Sequence, residues 1–263
     1  MIKTTGILAA GAAATMLMAS GATATTIVID DFTDSQRVAN LPTTDFPSAS
    51  IVSGGMFGGT RYMEVLNQDG VTSGTSLNGE NGALTFNNDS GTSGVGYIVY
   101  DGTSDRDDAT NTEIGPGVNT SGLNENLVIG SEAQTFFSFD LSNFNPGSGG
   151  STALFSAFVW DNDGNRAEFA EIIGAGPISP NLFLSEFVGE DIDWTRVGAL
   201  AFSIDSREGT SPLGTYGGDN FDGQVGVISV SAIPLPASVL MLLGGLGSFF
   251  GISAVSARRQ RKA

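Results

Sequence analysis

Carboxylates are the side chains of this sequence that could do chemistry, because the histidine and cysteine on which many sites depend are missing. The 263 residues include 28 Asp and Glu, no His and no Cys. These counts exclude a Ser-His-Asp or Cys-His nucleophile system, a zinc site with His ligands, a disulfide framework and an iron–sulfur cluster. Carboxylates alone can still bind a hard cation such as calcium, or catalyse hydrolysis as an acid pair.

Four aspartates lie near the two ends of the central part of the chain. Asp30 and Asp31 follow the first short apolar run, and Asp219 and Asp222 precede the last one. The first and last strands of a jelly-roll sandwich commonly lie side by side, so these carboxylates could meet around one calcium ion. The alternative is that they cap strand ends and form Asx turns.

A second acidic segment spans residues 161–166, with the sequence DNDGNR. An EF-hand calcium loop needs Gly at its sixth position and Glu at its twelfth. Counting from Asp161 gives Arg166 and Ile172 at those positions, so the pattern does not match. The segment is instead typical of a hairpin turn in which Gly164 adopts a positive φ.

An acid pair of the glycosidase kind would have to come from residues 186–194, which contain four acidic side chains. Such a pair needs two carboxylates held about 5 to 10 Å apart across a cleft, one of them in apolar surroundings. The segment lacks an alternation that would place three carboxylates on one strand face, and Gly189 interrupts it. We therefore expect a protein without enzymatic activity.

Both ends of the chain have the composition of segments that interact with membranes. Residues 1–24 carry Lys3, then an apolar stretch, and end in an A-x-A motif at Ala22 and Ala24. This is the order of a secretory signal peptide, with cleavage expected after Ala24. Residues 237–256 contain no charge. About twenty helical residues span the roughly 30 Å of a bilayer, which predicts a C-terminal transmembrane helix.

A proline motif precedes this predicted helix and a basic cluster follows it. The residues of the motif and of the cluster are Pro234, Leu235, Pro236 and Ala237, and Arg258, Arg259, Arg261 and Lys262. Because basic flanks stay in the cytoplasm, the rest of the chain is expected on the other side of the membrane. A plain single-pass anchor, with prolines that end a strand and start a helix, would account for the same residues.

About the last thirty residues, AIPLPASVLMLLGGLGSFFGISAVSARRQRKA, resemble the sorting signal of bacterial exosortase substrates. The variant is the PEP-CTERM type written VPLPA-CTERM, here with Ile233 in place of the leading Val. The resemblance implies that a membrane-embedded exosortase recognises Pro234-Leu235-Pro236 and cuts nearby. It also implies transient anchoring in the inner membrane and delivery to the cell surface of a Gram-negative bacterium.

Three parts are therefore expected: a signal peptide (1–24), an acidic body (25–232) and a sorting segment (233–263). The body retains six Arg and no Lys against all 28 acidic residues, a net charge of −22. A polyanionic body repels nucleic acid, which needs a cationic surface, so no nucleic-acid partner is expected. The same charge favours solubility outside the cell.

Short alternating apolar runs separated by Gly, Asn, Ser, Thr and Asp predict an all-β body. The predicted strands are 26–32, 61–67, 83–87, 95–100, 127–129, 134–141, 153–160, 166–173, 182–187, 197–204 and 224–231. One apolar face per strand and the lack of crossover helices favour two antiparallel sheets packed as a jelly-roll sandwich. This sandwich would be flanked by the N-terminal signal helix and the C-terminal transmembrane helix.

The inward faces of three strands can be named from their alternation. The residues expected to face the core are Phe137, Phe139 and Leu141, then Leu154, Phe158 and Trp160, then Leu200, Phe202 and Ile204. Seventeen Phe and two Trp are expected to supply most of this core. The Gly-, Ser- and Asn-rich segments 71–81, 103–126 and 145–151 are predicted to be loops.

Four short strings resemble the galactose-binding-like jelly rolls of many carbohydrate-binding modules. They are IDDF from residue 29, GGTRYMEV from 58, DWTRVGALAFSID from 193 and FDGQVGVISV from 221. The resemblance implies a structural calcium ion held near the chain termini by Asp30, Asp31 and Asp222, with Asp219 as a further candidate. Thr33 stands where such modules usually carry an acidic residue.

The sequence thus predicts an exported, non-catalytic, structural or adhesive protein of a bacterial surface or extracellular matrix, processed by an exosortase. The alternative is a calcium-stabilised carbohydrate-binding module that contacts extracellular polysaccharide, and a glycoside hydrolase is a third hypothesis. An exposed aromatic pair on a concave sheet face would favour the binding module. A cleft with paired acids would favour the hydrolase.

Overall fold

A computed structural model describes residues 25–40, 48–67, 74–104, 117–139, 141–145, 150–174 and 181–233. Thr25–Ile233 form one compact unit. The predicted signal peptide, with Ala22 and Ala24, and the predicted sorting residues from Pro234 to Lys262 lie outside the described residues. Within the described ranges, no helix is long and apolar enough to cross a membrane.

The described residues form eighteen β-strands and three single-turn 3-10 helices. In chain order the strands are β1 (Thr26–Asp30), β2 (Gln36–Asn40), β3 (Ala49–Ser53), β4 (Thr60–Asn67), β5 (Thr75–Glu80), β6 (Ala83–Asn88), β7 (Gly94–Tyr100), β8 (Thr135–Ser138), β9 (Leu141–Asn145), β10 (Ala153–Asp161), β11 (Arg166–Ile173), β12 (Asn181–Phe183), β13 (Val188–Gly189), β14 (Val197–Asp205), β15 (Gly209–Ser211), β16 (Gly214–Tyr216), β17 (Asp222–Val225) and β18 (Ile228–Ala232). The 3-10 helices are Phe57–Gly59, Glu132–Gln134 and Leu184–Glu186.

The described strands build four sheets with antiparallel pairing between neighbouring strands, so the all-β antiparallel prediction is confirmed. The largest sheet has the strand order β13-β11-β10-β14-β7-β4-β3. A five-stranded sheet has the order β2-β5-β6-β17-β9, and a four-stranded sheet has the order β1-β18-β8-β12. The small hairpin β15-β16 stands apart from them. First and last strands are neighbours, with Thr26 opposite Ser231.

One apolar core lies between the seven-stranded sheet and the other two large sheets. Phe202 of β14 contacts Phe137 of β8 and Phe139, with ring centroids 6.2 and 5.2 Å apart. Phe139 also contacts Phe155 of β10 at 5.3 Å. All four rings are buried, so the phenylalanines supply the apolar area that stabilises the body, as the composition predicts.

The prediction of the inward face was wrong for β10. Phe155 and Val159 point into the main core, whereas Phe158 and Trp160 belong to a second apolar cluster on the opposite face of the sheet. Tyr62 of β4 lies in the same second cluster. Because β10 carries apolar side chains on both faces, alternation alone could not distinguish the core face from the other one.

Several strand boundaries also differ from the prediction. The segment 71–81, predicted as a loop, contains β5, which lies between β2 and β6. Residues 127–129 are not a strand, and 182–187 ends in a 3-10 turn. The predicted strands 134–141 and 224–231 are each divided in two. In β5 the polar residues Thr75 and Ser76 are buried. Their backbone groups are hydrogen-bonded by β2 on one side and β6 on the other, and the strand propensity of a single segment does not reveal such neighbours.

Candidate functional site

Asp30 is buried and belongs to the core instead of a surface cation site. Its Oδ2 accepts hydrogen bonds from Arg61 Nη1 at 2.8 Å and from the Tyr100 hydroxyl at 2.7 Å, and its Oδ1 accepts one from the Phe32 backbone N–H at 2.7 Å. A register shift in β1 between Val28 and Asp30 turns two successive residues inward. Alternation in the sequence could not predict this bulge.

Arg61 neutralises the buried Asp30 and is itself fully buried. Its Nε donates to Gln36 Oε1 at 2.7 Å and its Nη2 donates to the Asp34 carbonyl oxygen at 2.5 Å. Burial, and then the negative charge of Asp30, raises the pKa of Tyr100 well above its ordinary value. This network holds β1, β4 and β7 together, so its role is structural.

The other three predicted calcium ligands lie in separate places. Asp31 is exposed, and its Oδ1 accepts from the Thr33 hydroxyl and backbone N–H, which holds the pKa of Asp31 below its usual value. Asp222 Oδ1 accepts from the Asn88 backbone N–H at 2.9 Å, while burial and then the neighbouring Asp89 raise the pKa of Asp222.

Asp219 is exposed and contributes its backbone oxygen to the Ser151 hydroxyl. No group of three or more acidic side chains that could hold a metal ion occurs in the described part of the chain. The structure therefore does not bring Asp30, Asp31, Asp219 and Asp222 together. For Asp31 the alternative reading as an Asx turn is confirmed.

The segment 161–166 forms the hairpin turn between β10 and β11, as predicted, with φ of +87° at Gly164. The Asp161 carboxylate accepts bonds from the backbone N–H groups of Asp163, Asn165 and Asp193 and from the Asn165 amide. Burial works to raise the pKa of Asp161, but these hydrogen bonds outweigh it and hold the pKa below its usual 3.8.

A surface cleft of about 320 Å³ lies beside the β13 edge of the seven-stranded sheet. We call it the edge cleft, and the residues of its lining that matter most are Glu132, Leu184, Phe187, Glu190, Asp191 and Trp194. Its volume falls at the lower end of the range of small-ligand sites, about 300 to 1,000 Å³. The candidate functional site of this chain is the edge cleft.

Local backbone structure fixes one wall of the edge cleft. The Phe183 N–H donates to Glu186 Oε2 at 2.7 Å, which closes the 3-10 turn Leu184–Glu186. Gly189 follows in β13, where it pairs with Ala167 of β11. The φ angle of Gly189 is +146°. A Cβ at Gly189 would lie 2.6 Å from the Arg166 carbonyl oxygen, so the close approach requires glycine.

Aromatic rings form the apolar wall of the edge cleft. Phe187 and Trp194 meet edge to face with ring centroids 5.3 Å apart. Phe187 also packs against Phe169 at 6.2 Å and against Phe137 of the core at 5.7 Å. The wall is therefore continuous with the main core, which holds it rigidly in place.

Three carboxylates form the polar rim of the edge cleft. Glu132, Glu190 and Asp191 are all exposed to solvent. Glu190 Oε2 accepts the Arg166 backbone N–H at 2.8 Å. The guanidinium of Arg166 points elsewhere, because it lies 4.8 Å from the Phe158 ring centroid and pairs with Glu168. Among the residues that the structure describes, no Lys or Arg lines the cleft, so its described surface is electronegative.

The sequence singled out only part of this site. The segment 186–194, which is the best candidate in the sequence for an acid pair, contributes five residues to the lining of the edge cleft. The sequence does not connect Glu132 with this segment, because Glu132 is distant along the chain and reaches the cleft on the 3-10 turn Glu132–Gln134. No pattern in the sequence indicates that these two segments meet.

The aromatic residues on the outer face of the seven-stranded sheet offer no exposed pair. Tyr62, Tyr97 and Trp160 are all buried. The Tyr62 hydroxyl donates to Glu64 at 2.9 Å, and burial raises the pKa of Tyr97 to about 12. Among the described residues this face therefore lacks the aromatic platform that the binding-module hypothesis called for.

No family model and no curated protein matches the chain. Among solved structures it is similar to a family 11 carbohydrate-binding module from Clostridium thermocellum in complex with a beta-1,3-1,4-mixed-linked tetrasaccharide. That similarity has a TM-score of 0.34 and 11% identity and covers 78% of this chain and 94% of the module.

Two larger solved chains are also similar. The agarase AgWH50C has a TM-score of 0.36 and 10% identity, and PfGH50B has a TM-score of 0.33 and 12% identity. The matches cover 80% and 66% of this chain but only 25% and 23% of those two chains. Similarities this weak carry no argument about what this chain binds or does.

Proposed function

We propose that this chain is an exported, non-catalytic protein of a bacterial surface or extracellular matrix that adheres by binding a glycan in the edge cleft. The observation that carries the proposal is that the half-buried Phe187 ring, which packs on the buried Trp194, lies in one cleft with a rim of carboxylate acceptors. A sugar ring presents both an apolar C–H face and hydroxyl donors, which suit these two surfaces.

The exposure of the rim favours binding over hydrolysis. The general acid of a glycosidase has to keep its proton, which requires a desolvated carboxyl group. Glu132, Glu190 and Asp191 are all exposed. One oxygen of Glu190 is also engaged by the Arg166 N–H. The cleft is therefore suited to accept hydrogen bonds from a ligand that it leaves intact.

The proposed location at the cell surface rests on the terminal segments and the charge of the body. Signal-like residues 1–24, the Pro234-Leu235-Pro236 motif and the uncharged stretch before Arg258 support export followed by exosortase processing. The net charge of −22 in the body keeps copies apart in an extracellular layer and disfavours nucleic-acid partners.

Glycan binding can be tested with the full-length chain in detergent on a panel of immobilised oligosaccharides. We expect retention of at least one glycan, no release of reducing ends, and about tenfold weaker binding after the joint change Glu132→Ala and Asp191→Ala. Glu80→Ala is the matched control, because Glu80 is exposed on β5 and does not line the cleft. Failure to retain any glycan, or release of products, would refute the proposal.

Sorting can be tested in a Gram-negative host that contains an exosortase. Pro234→Ala with Pro236→Ala should block processing and leave the uncut chain in the inner membrane. Pro212→Ala, in the turn between β15 and β16, serves as the control and should be processed normally. Equal processing of both variants would contradict the role assigned to the motif.

A further inference from the structure

The outer side of the four-stranded sheet β1-β18-β8-β12 carries no charge, although the body has six Arg against 28 acidic residues. Asp30 is the one charged residue in these four described strands, and it is buried. We call this outer side the terminal face, because it is built on the first and last strands. It includes Thr26, Val28, Phe136, Phe183, Ser229 and Ser231.

Cross-strand pairing places the residues of the terminal face on one side of the sheet. Thr26 lies opposite Ser231, with the hydroxyl oxygens 3.1 Å apart. Phe136 lies opposite both Ser231 and Phe183, and the two Phe rings have centroids 5.5 Å apart. Side chains directly opposite each other in antiparallel strands point to the same side. The terminal face therefore combines an aromatic pair with a row of hydroxyl groups.

Exposed apolar side chains are concentrated at the same sheet. Val28, Val227 and Ile233 are three of the five large apolar side chains that are exposed among the described residues, at 50%, 42% and 50%. Val28 lies in β1 opposite Ser229. Val227 and Ile233 directly precede and follow β18. An exposed apolar patch of this kind marks a surface that meets a partner.

The course of the chain identifies a lipid surface as this partner. Ile233 is the last described residue, and residues 234–236 separate it from the uncharged stretch 237–256. This connection spans at most about 14 Å. A transmembrane segment at 237–256 would therefore keep the end of β18 within reach of the bilayer surface. The other membrane-directed segment also leads to this sheet, because β1 begins two residues after Ala24.

Building on the proposed export and anchoring, we infer that the terminal face rests on a zwitterionic lipid surface while the chain is anchored. Val28, Phe136 and Ile233 enter the interfacial region, where apolar side chains leave water and hydroxyl groups meet the headgroups. Glu132 and Glu186 lie on the 3-10 turns next to β8 and β12. Anionic lipid is therefore disfavoured at this surface, because it would meet carboxylates beside the face.

The size of the terminal face argues against a second copy of the chain as its partner. Four strands about 4.8 Å apart and about five residues long present about 300 Å². A stable protein interface buries about 800 Å² on each partner. Lipid contact does not need this area, because a membrane anchor holds the body at a high effective concentration beside the bilayer.

Lipid contact can be measured with single cysteines, because the sequence contains no Cys. Thr26→Cys is on the terminal face, and Thr85→Cys is the matched control, exposed on β6 of the five-stranded sheet. The full-length chain is produced in a Gram-negative host without an exosortase, labelled with the fluorophore NBD, and reconstituted in phosphatidylcholine vesicles that contain nitroxide-labelled acyl chains. We expect quenching at position 26 to be about threefold or more stronger than at position 85.

A longer tether separates lipid binding by the face from nearness that the anchor alone imposes. An insertion of about twenty Gly and Ser residues between Ile233 and Pro234 lets the body move about 25 Å from the bilayer. Quenching at position 26 should persist in this long-tether chain, because the face itself binds lipid. Loss of the quenching would show that the anchor alone brought the label to the bilayer, and would overturn the inference.

Charge variants of the long-tether chain test which side chains hold the lipid. Val28→Glu with Ile233→Glu should lower the lipid-bound fraction about tenfold, because carboxylates are disfavoured in the interface. Val188→Glu with Leu213→Glu is the matched control, since these side chains are 74% and 55% exposed outside the terminal face. The control should leave the quenching unchanged, and equal effects of the two double variants would contradict the inference.

The same preparation distinguishes a failure of the inference from a failure of the proposed location. Release of the chain from membranes by alkaline carbonate would show that residues 237–256 do not anchor it, and would overturn both. An anchored chain without quenching at position 26 overturns the inference alone. A dimer in detergent that Val28→Glu dissociates would assign the face to a second copy, and loss of glycan retention in Val28→Glu would assign it to polysaccharide. Either result overturns the inference.

Discussion

The ion pairs of the described residues differ in solvent exposure, and the exposure determines how much each pair contributes to the stability of the fold. Arg61 and Asp30 are 0% and 2% exposed and 2.8 Å apart. Arg196 and Asp163 are 50% and 63% exposed and 3.4 Å apart. Solvent screens the second pair, whereas the first leaves a buried charge without a counter-ion if either partner is removed.

We therefore expect Arg61→Met to lower the free energy of unfolding by about 3 to 5 kcal/mol. The loss arises because Asp30 stays buried and keeps the hydrogen bond from the Tyr100 hydroxyl, but loses the guanidinium that neutralises it. Arg196→Met is the control, and it should cost less than about 1 kcal/mol. Urea unfolding of the two variants measures both values, and equal losses would contradict the assignment.

Asp161 and Asp222 should affect the pH dependence of stability in opposite directions, because the pKa of Asp161 is lowered and that of Asp222 is raised. Because hydrogen bonds lower the folded pKa of Asp161 below 3.8, its stabilisation is present above pH 3.8 and lost as pH falls through the folded value. Asp161→Asn should therefore cost about 1 to 3 kcal/mol near pH 7 and progressively less below about pH 4. Urea midpoints of the variant and the natural chain, measured across this range, test the prediction.

Asp222 has a raised folded pKa, so its ionised form is disfavoured in the folded protein near neutral pH. Asp222→Asn keeps an oxygen for the Asn88 N–H and removes the desolvated charge. The urea midpoint at about pH 7 should stay constant or rise, and the difference should vanish as the pH falls below 3.8. A clear loss of stability at neutral pH would show that the carboxylate charge is needed there.

Sequence reasoning at the residue scale succeeded where a local rule applies. The turn at Gly164 and the Asx turn at Asp31 depend on neighbouring residues alone. The burial of Asp30 depends on the bulge in β1, and the position of Glu132 in the cleft depends on contact between distant segments of the chain. Neither feature produces a pattern in the sequence. For this reason the sequence could not show that Asp30 turns into the core, whereas the expected pairing of the first strand with the last one is observed as β1 beside β18.

At the scale of elements, two glycines should differ in how much an added side chain destabilises the fold. Gly164 lies in an open turn, and Gly198 lies in β14 where another segment of the chain packs directly on it. Gly164 lies in the β10–β11 turn at φ +87°, and a Cβ there would contact nothing within 4 Å. Gly198 begins the crossing of segment 119–125 over β14, and its Cβ would lie 1.6 Å from the Thr120 carbonyl oxygen. The Leu123 N–H also donates to the Gly198 oxygen at 3.0 Å.

Gly164→Ala should therefore cost about 1 to 2 kcal/mol through backbone strain alone. Gly198→Ala should cost more than about 3 kcal/mol, because the crossing segment has to move and its hydrogen bonds to β14 are lost. Thermal unfolding of both variants compares the two losses. A smaller loss for Gly198→Ala than for Gly164→Ala would contradict the described crossing.

The elements that the sequence predicted best are those with one apolar face. Strand 166–173 is observed with the predicted bounds, and Leu200, Phe202 and Ile204 face the core as expected. The prediction failed for β5 and for the face of β10. In both cases contacts with neighbouring strands decide burial, and such contacts cannot be read from a single strand's pattern.

At the scale of the whole molecule, repulsion among the acidic side chains should lower the stability of the body. Six Arg against 28 acidic residues leave a strong mutual repulsion in the compact state. Raising NaCl from about 10 mM to about 500 mM should therefore raise the melting temperature by several degrees. A multiple variant with exposed acids such as Glu80, Asp163 and Glu208 changed to amides should show a smaller rise. A melting temperature independent of salt would contradict this view of the body.

The pairing of Thr26 with Ser231 has a consequence for engineering the body. Their hydroxyl groups lie 3.1 Å apart, so the chain enters and leaves the sandwich at one place. A short Gly-Ser bridge between residues 25 and 233 would close the backbone into a ring. Circular permutants opened at the exposed turn around Gly164 would then retain β1 beside β18 while presenting new termini at a different edge.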